Sequence, residues 1–161
     1  MIAYRFADTD EKRPRHRFTL DYQATPNFQP GLEYNAAVEE LGFRATWVLQ
    51  RESKKGPQIH LNTSSDRIGT PKGNQQYSAT FSRTIEGTKL APYFSVTYSE
   101  FEDGLVFPFG ASYSMQPEWT AMFLNDGRRS HVLATYAQEN WFAQIGWIWF
   151  ERFAVTVGWG F

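Results

Sequence analysis

From Arg17 onward, large apolar side chains recur at every second position in short runs broken by turn residues, and no stretch of more than ten residues keeps a helical repeat. Phe18, Leu20 and Tyr22 alternate with Thr19, Asp21 and Gln23; Leu32, Tyr34 and Ala36 with Glu33 and Asn35; Phe43, Ala45, Trp47 and Leu49 with Arg44, Thr46 and Gln50. Further runs follow at Ile59, at Tyr77 to Phe81 and at Phe94 to Tyr98, then from Leu105 to Met115, where six consecutive odd positions are apolar. The chain closes with runs at Trp119, Val132, Trp141 and Phe153. Eleven runs are counted in this way, and "IAYRF" at residues 2–6 supplies a twelfth. A strand places successive side chains on opposite faces, so each run has one apolar and one small or polar face. Turns such as "NDGRR" are short, which implies neighbouring antiparallel strands. The expected fold is an all-β, antiparallel up-and-down meander closed into a barrel of about 8–12 strands. The longest irregular stretch, "SSDRIGTPKGNQ", is expected to be a loop.

The position of charge indicates which face is outside. Lys12, Lys54, Lys55, Lys72 and Lys89 all fall in expected loops, and after Ala91 every charged residue lies in or beside a turn. A soluble barrel with its aromatic face inward would show water a nearly uncharged sheet of Ser, Thr, Gly and a few apolar residues. Soluble sheet surfaces use charge to discourage association. In a bilayer the same pattern is coherent, with apolar residues against lipid and polar ones inside, so the barrel is expected to be transmembrane. Aromatics form 17% of the chain, more than a soluble core of this size calls for. Trp141 and Trp149 lie eight residues apart, which is about 26 Å of strand and suits an aromatic girdle at each interface. Phe153 and Phe161 repeat that spacing, and Trp147 and Trp159 belong to the same outward set.

The last nine residues, "FAVTVGWGF", have apolar Phe153, Val155, Val157, Trp159 and Phe161 at alternate positions and end on an aromatic. This resembles the assembly signal of bacterial outer-membrane β-barrel proteins; Thr156 departs from it by standing where glycine is common. The resemblance implies an outer-membrane location, contact with the lipid bilayer and engagement of the outer-membrane assembly machinery through the last strand. Such barrels have both termini on the periplasmic side. Counting back from Phe161 then places "FER", "NDGRR", "FEDG" and residues 64–75 outside, with "AQEN", "MQPE", "EGTK" and "ESKKGP" inside.

The chain length of 161 residues fits a single barrel domain, 1–161, or the C-terminal part of a larger barrel. No leader pattern is visible at residues 1–12, and no run approaches the ~20 apolar residues of a spanning helix. With a net charge of -1 and no cysteine, nucleic-acid binding and thiolate chemistry are not expected. The three histidines, His16, His60 and His131, show no metal-ligand spacing, and no cofactor motif is present. His60, Ser64 and Asp66 form a suggestive set, but His60 and Ser64 would lie about 13 Å apart on one strand, too far for a nucleophile and its base. No enzymatic activity is expected, with an outer-membrane lipid-modifying enzyme as the remaining alternative. The expected lumen lining includes Arg17, Asp21, Glu33, Arg44 and Arg83, with Glu39 beside them. Mixed charge there would either set solute selectivity or form an ion-pair network that plugs a small barrel. A narrow outer-membrane pore or structural membrane protein is the leading expectation. A soluble lipocalin-like barrel holding an apolar ligand inside is the alternative.

Overall fold

The computed structural model describes residues 1–160. Among the described residues thirteen strands follow one another: β1 Ile2–Ala7, β2 His16–Asp21, β3 Phe28–Asn35, β4 Glu40–Gln50, β5 Gln58–Ser65, β6 Gln75–Ser82 and β7 Leu90–Ser99. The series continues with β8 Gly104–Val106, β9 Phe109–Ser114, β10 Trp119–Asn125, β11 Ser130–Ala137, β12 Trp141–Ile148 and β13 Arg152–Trp159. A single helical turn, α1 Lys12–Arg15, precedes β2, and a 3₁₀ turn at Ala36–Val38 links β3 to β4.

Every strand pairs antiparallel with its neighbour, β1 with β13 and β6 with β7 included, so the sheet closes on itself as a twelve-strand barrel. Strands β8 and β9 are two halves of one barrel strand, because both pair with the same edge of β7. The continuous run expected from Leu105 to Met115 breaks at Phe107–Pro108. Proline has no N–H to give the ladder, and only its carbonyl serves there, accepting from Ser95 N at 2.8 Å.

Alternation sends the aromatic and aliphatic residues outward. Ile145 is 62% exposed, Trp147 56% and Trp159 57%, while among the described residues the buried apolar ones are Ala3, Ala7, Ile148 and Ala154. The fully buried large side chains are polar instead, namely Glu33, Thr97 and Ser99. On the outer face rings meet across strands: Trp119, Tyr136 and Trp141 form a chain with centroids 5.1 and 5.5 Å apart, and Trp141 pairs in register with Trp159. These rings stand at the end of the barrel that holds both Met1 and Gly160, here called the proximal end. At the distal end Phe150 packs edge-on against Trp147 at 5.8 Å. The loop after β5 and the turns 100–103, 126–129 and 149–151 are distal, and those at 51–57, 83–89, 115–118 and 138–140 are proximal.

Trp149 corrects the expected girdle. Strand β12 ends at Ile148, and Trp149 and Phe150 both take a left-handed backbone, φ 58° and 57°. That reversal turns the Trp149 ring off the outer face, where it packs against the Ala7, Ile148 and Ala154 cluster, and leaves Phe150 outside in its place. Trp141, Trp147, Phe153 and Trp159 do face outward. Phe161 lies outside the described residues.

Candidate functional site

The interior holds a cavity of about 610 Å³, lined by both polar and apolar groups, that runs from the distal loops down to Ser82, Ala91 and Ser112. Its walls differ by origin. Strands β1 and β2 with α1 supply Arg5, Arg17 and Arg13, β5 to β9 supply mainly hydroxyls and amides, and β10 to β13 supply Met122, Leu124, Leu133 and Ile148 with Gln144 and Thr156.

In the charged sector the strand register brings opposite signs together. Arg17 on β2 forms an ion pair with Glu33 on the adjoining β3, and the second Glu33 oxygen accepts from Ser65 N at 3.0 Å. Arg44 on β4 reaches Asp21 on β2 at 3.1 Å, over Gly31 on the strand between them, where a Cβ would collide with the Asp21 carboxylate. Four of the charges expected to line the lumen, Arg17, Asp21, Glu33 and Arg44, therefore point inward as two pairs. Arg83 does not join them: β6 ends at Ser82, and Arg83 lies exposed in the proximal turn with its guanidinium toward the Lys54 carbonyl at 3.4 Å. Glu39 is exposed at the rim in a left-handed conformation, φ 51°.

The hydroxyl sector is a ladder. Ser78 pairs with Thr97 and Thr80 with Ser95, each hydroxyl pair at 2.8 Å and each in register across β6 and β7. Such pairs satisfy groups that apolar surroundings would otherwise leave costly.

The distal mouth is crossed by the loop between β5 and β6, residues 66–74, called the strap. Ile68 at its centre packs with Trp149 on Ala7, Ile148 and Ala154, on the far side of the ring from the strands that carry it. Gly69, at φ 93°, lies against the Trp149 ring. Arg13 of α1 fastens the strap: its guanidinium donates to the carbonyls of Asp66, Thr70 and Asn74, each at 3.3 Å, and to Glu40 at 2.8 Å. Glu40 in turn accepts from Gly73 N and Asn35. Asp66, buried, accepts from Ser99 Oγ at 2.5 Å and from Phe101 N at 3.3 Å, which ties the strap to β7 and the next turn.

Two distal acids sit below their usual range. Glu102 is held down by its hydrogen bond and ion pair with Arg67 and by Arg128, against a smaller opposing effect of desolvation. For Asp126, burial pushes upward, but hydrogen bonds from His131, 3.1 Å away, and from the Arg129 and Arg128 amides outweigh it.

The suggestive set His60, Ser64 and Asp66 is not a joined constellation. His60 Nδ1 has no partner, Ser64 Oγ donates to the Ser65 carbonyl at 3.1 Å, and Asp66 is taken up by Ser99. Among the described residues no group of three metal-ligating side chains converges.

Arg5, like Arg13, Arg67 and Asp126, lines the cavity without having been expected from the sequence. It lies between Ile2, Tyr4 and Phe6 on the outer face, so alternation alone sends it inward once residues 2–6 are taken as a strand. Comparison with protein-family models and with curated proteins finds no match for this chain.

Proposed function

We propose that this chain spans a lipid bilayer as a β-barrel of the bacterial outer-membrane type and acts as a narrow, strap-restricted pore rather than as an enzyme. The observation that carries this reading is the inversion of polarity: an outer surface of exposed rings and aliphatic side chains around an interior of ion pairs, hydroxyls and amides. Soluble monomers rarely expose contiguous apolar patches beyond a few hundred Å², whereas a barrel in lipid requires such a belt. The two end clusters of aromatics, Trp119–Tyr136–Trp141 and Trp147–Phe150, fit the interfaces of that belt. On this reading the chain resides in the outer membrane and its C-terminal segment, residues 153–161, engages the assembly machinery.

Reconstitution tests it. The purified protein is expected to need detergent to stay monodisperse and to give small unitary currents in planar bilayers. A monodisperse species in plain buffer would end the membrane reading; a detergent-dependent but silent barrel would leave a structural membrane protein.

A second reading rests on the apolar wall formed by Met122, Leu124, Leu133 and Ile148, which would suit an apolar ligand held inside a soluble, lipocalin-like barrel. Uptake of a fluorescent fatty acid by protein in detergent-free buffer is its expected mark.

A further inference from the structure

Among the described residues each acid of the inner wall already has a partner, Asp126 through His131 included. Glu33 serves Arg17 and Ser65 N, Asp21 serves Arg44, Glu40 serves Arg13, Asn35 and Gly73 N, and Asp66 serves Ser99 and the Phe101 and Arg67 amides. Arg5 stands in the same wall, opposite Arg17 on one side and Thr156 on the other. Among the described residues it is the cavity-lining arginine with no carboxylate in ion-pair distance, and its Nε is sealed from solvent without a hydrogen-bond partner. Arg5 is half-buried, and a guanidinium drawn partly out of water is costly unless something pairs with it, while arginine keeps its proton. The surrounding hydroxyls and amides, such as Gln144 and Thr156, can donate hydrogen bonds but supply no counter-charge.

We propose that Arg5 is the centre of a binding site for a small monovalent anion, of the halide or short carboxylate class, inside the barrel. One unpaired positive charge matches one negative charge, and the ion pairs beside it, each neutral in sum, leave that charge uncancelled. Where the barrel conducts, which rests on the pore reading above, the site makes the current anion-selective, as fixed cations lining a narrow passage do.

Two measurements separate this proposal from the pore reading. In planar bilayers under a KCl gradient, the reversal potential is expected on the anion-selective side. Arg5→Gln is expected to lower the chloride-to-potassium permeability ratio at least about threefold and Arg5→Lys to retain it. Independently of conduction, crystals grown from detergent with sodium bromide are expected to show anomalous density against the Arg5 guanidinium, lost in Arg5→Gln. Heat-modified migration on gels confirms that each variant folds; removing an unpaired, half-buried charge should not hinder it. Bromide at Arg5 without current sustains the site and ends the pore reading. Current whose selectivity is unchanged in Arg5→Gln, without bromide at Arg5, overturns the site and leaves the pore. Bromide density that persists in Arg5→Gln overturns the site as well.

Discussion

Gly110, on the inner face of β9, shows how little room the interior leaves at particular positions. A Cβ there would collide with the Phe123 carbonyl and lie 2.9 Å from Leu124 Cα, both backbone atoms of the paired β10. At Gly158 on β13 the three atoms nearest the added one all belong to the Phe142 ring, a side chain that can shift where backbone cannot. Gly110→Ala is therefore expected to lower stability by about 1–3 kcal/mol and Gly158→Ala by clearly less, read by denaturant unfolding in micelles. Equal losses would show that the β9–β10 approach is not the tight one. Single residues also mark where the sequence was hard to read. Trp149 and Arg83 each sit one residue past a strand end, where period-two alternation stops predicting direction, and a turn reversal cannot be seen in a list of polarities. Arg5 was readable, since its strand follows the same rule as the others. At the distal rim Asp126 and Glu102 have folded-state values below the ordinary ones. Their contribution is fully present above the unfolded carboxylate range, about pH 4, and is lost as pH falls through the lower folded values. Thermal unfolding in micelles is expected to show a stability loss below about pH 4 that is smaller in Asp126→Asn, which starts from a lower stability at pH 6. An identical acid slope in the two proteins would remove Asp126 from that account.

At the scale of elements, the strands were legible because most alternate one largely apolar face with one of small or polar residues, a pattern that requires no tertiary information. Their number was less so, since a proline splits one strand into β8 and β9 without ending its barrel pairing. The strap was legible as a loop but not as a plug. A lone Ile68 among polar residues carries no periodic signal, and its burial depends on Ala7 and Ala154, which are remote in sequence. Arg13 was equally silent, because a cation in an expected loop reads as solvated. Its guanidinium holds three strap carbonyls and Glu40, so Arg13→Ala leaves several buried acceptors without a donor. Losing one side of a buried charged network costs about 3–5 kcal/mol, here confined to the strap because the strand ladder is untouched. Trypsin cleavage after Arg67 or Lys72 is therefore expected to accelerate by about tenfold or more in Arg13→Ala, with the barrel still heat-modifiable on gels. Unchanged cleavage would mean that Ile68 and Asp66 hold the strap unaided.

For the molecule as a whole, the surroundings determine what the outer belt contributes. In water the exposed rings are a liability and a cation among them is harmless or helpful; in a bilayer they face acyl chains and a cation at mid-height must be stripped of water. Ile145 lies near the middle of β12 and is 62% exposed, whereas Leu41 lies at the distal end of β4 and is 69% exposed, so the two differ in depth far more than in packing. In lipid vesicles Ile145→Arg is expected to cost about 2–4 kcal/mol and Leu41→Arg about 0–1, because the penalty for arginine on a barrel's lipid face falls from midplane to interface. The measurement is reversible denaturant unfolding of both variants in the same vesicles, followed by tryptophan emission. A soluble barrel makes the opposite claim: each arginine would sit in water, both changes would stay within about 0.5 kcal/mol, and depth along the strand would not matter. A depth-dependent difference is the signature of the bilayer acting on this surface, and two equal, small effects would place the same belt in water.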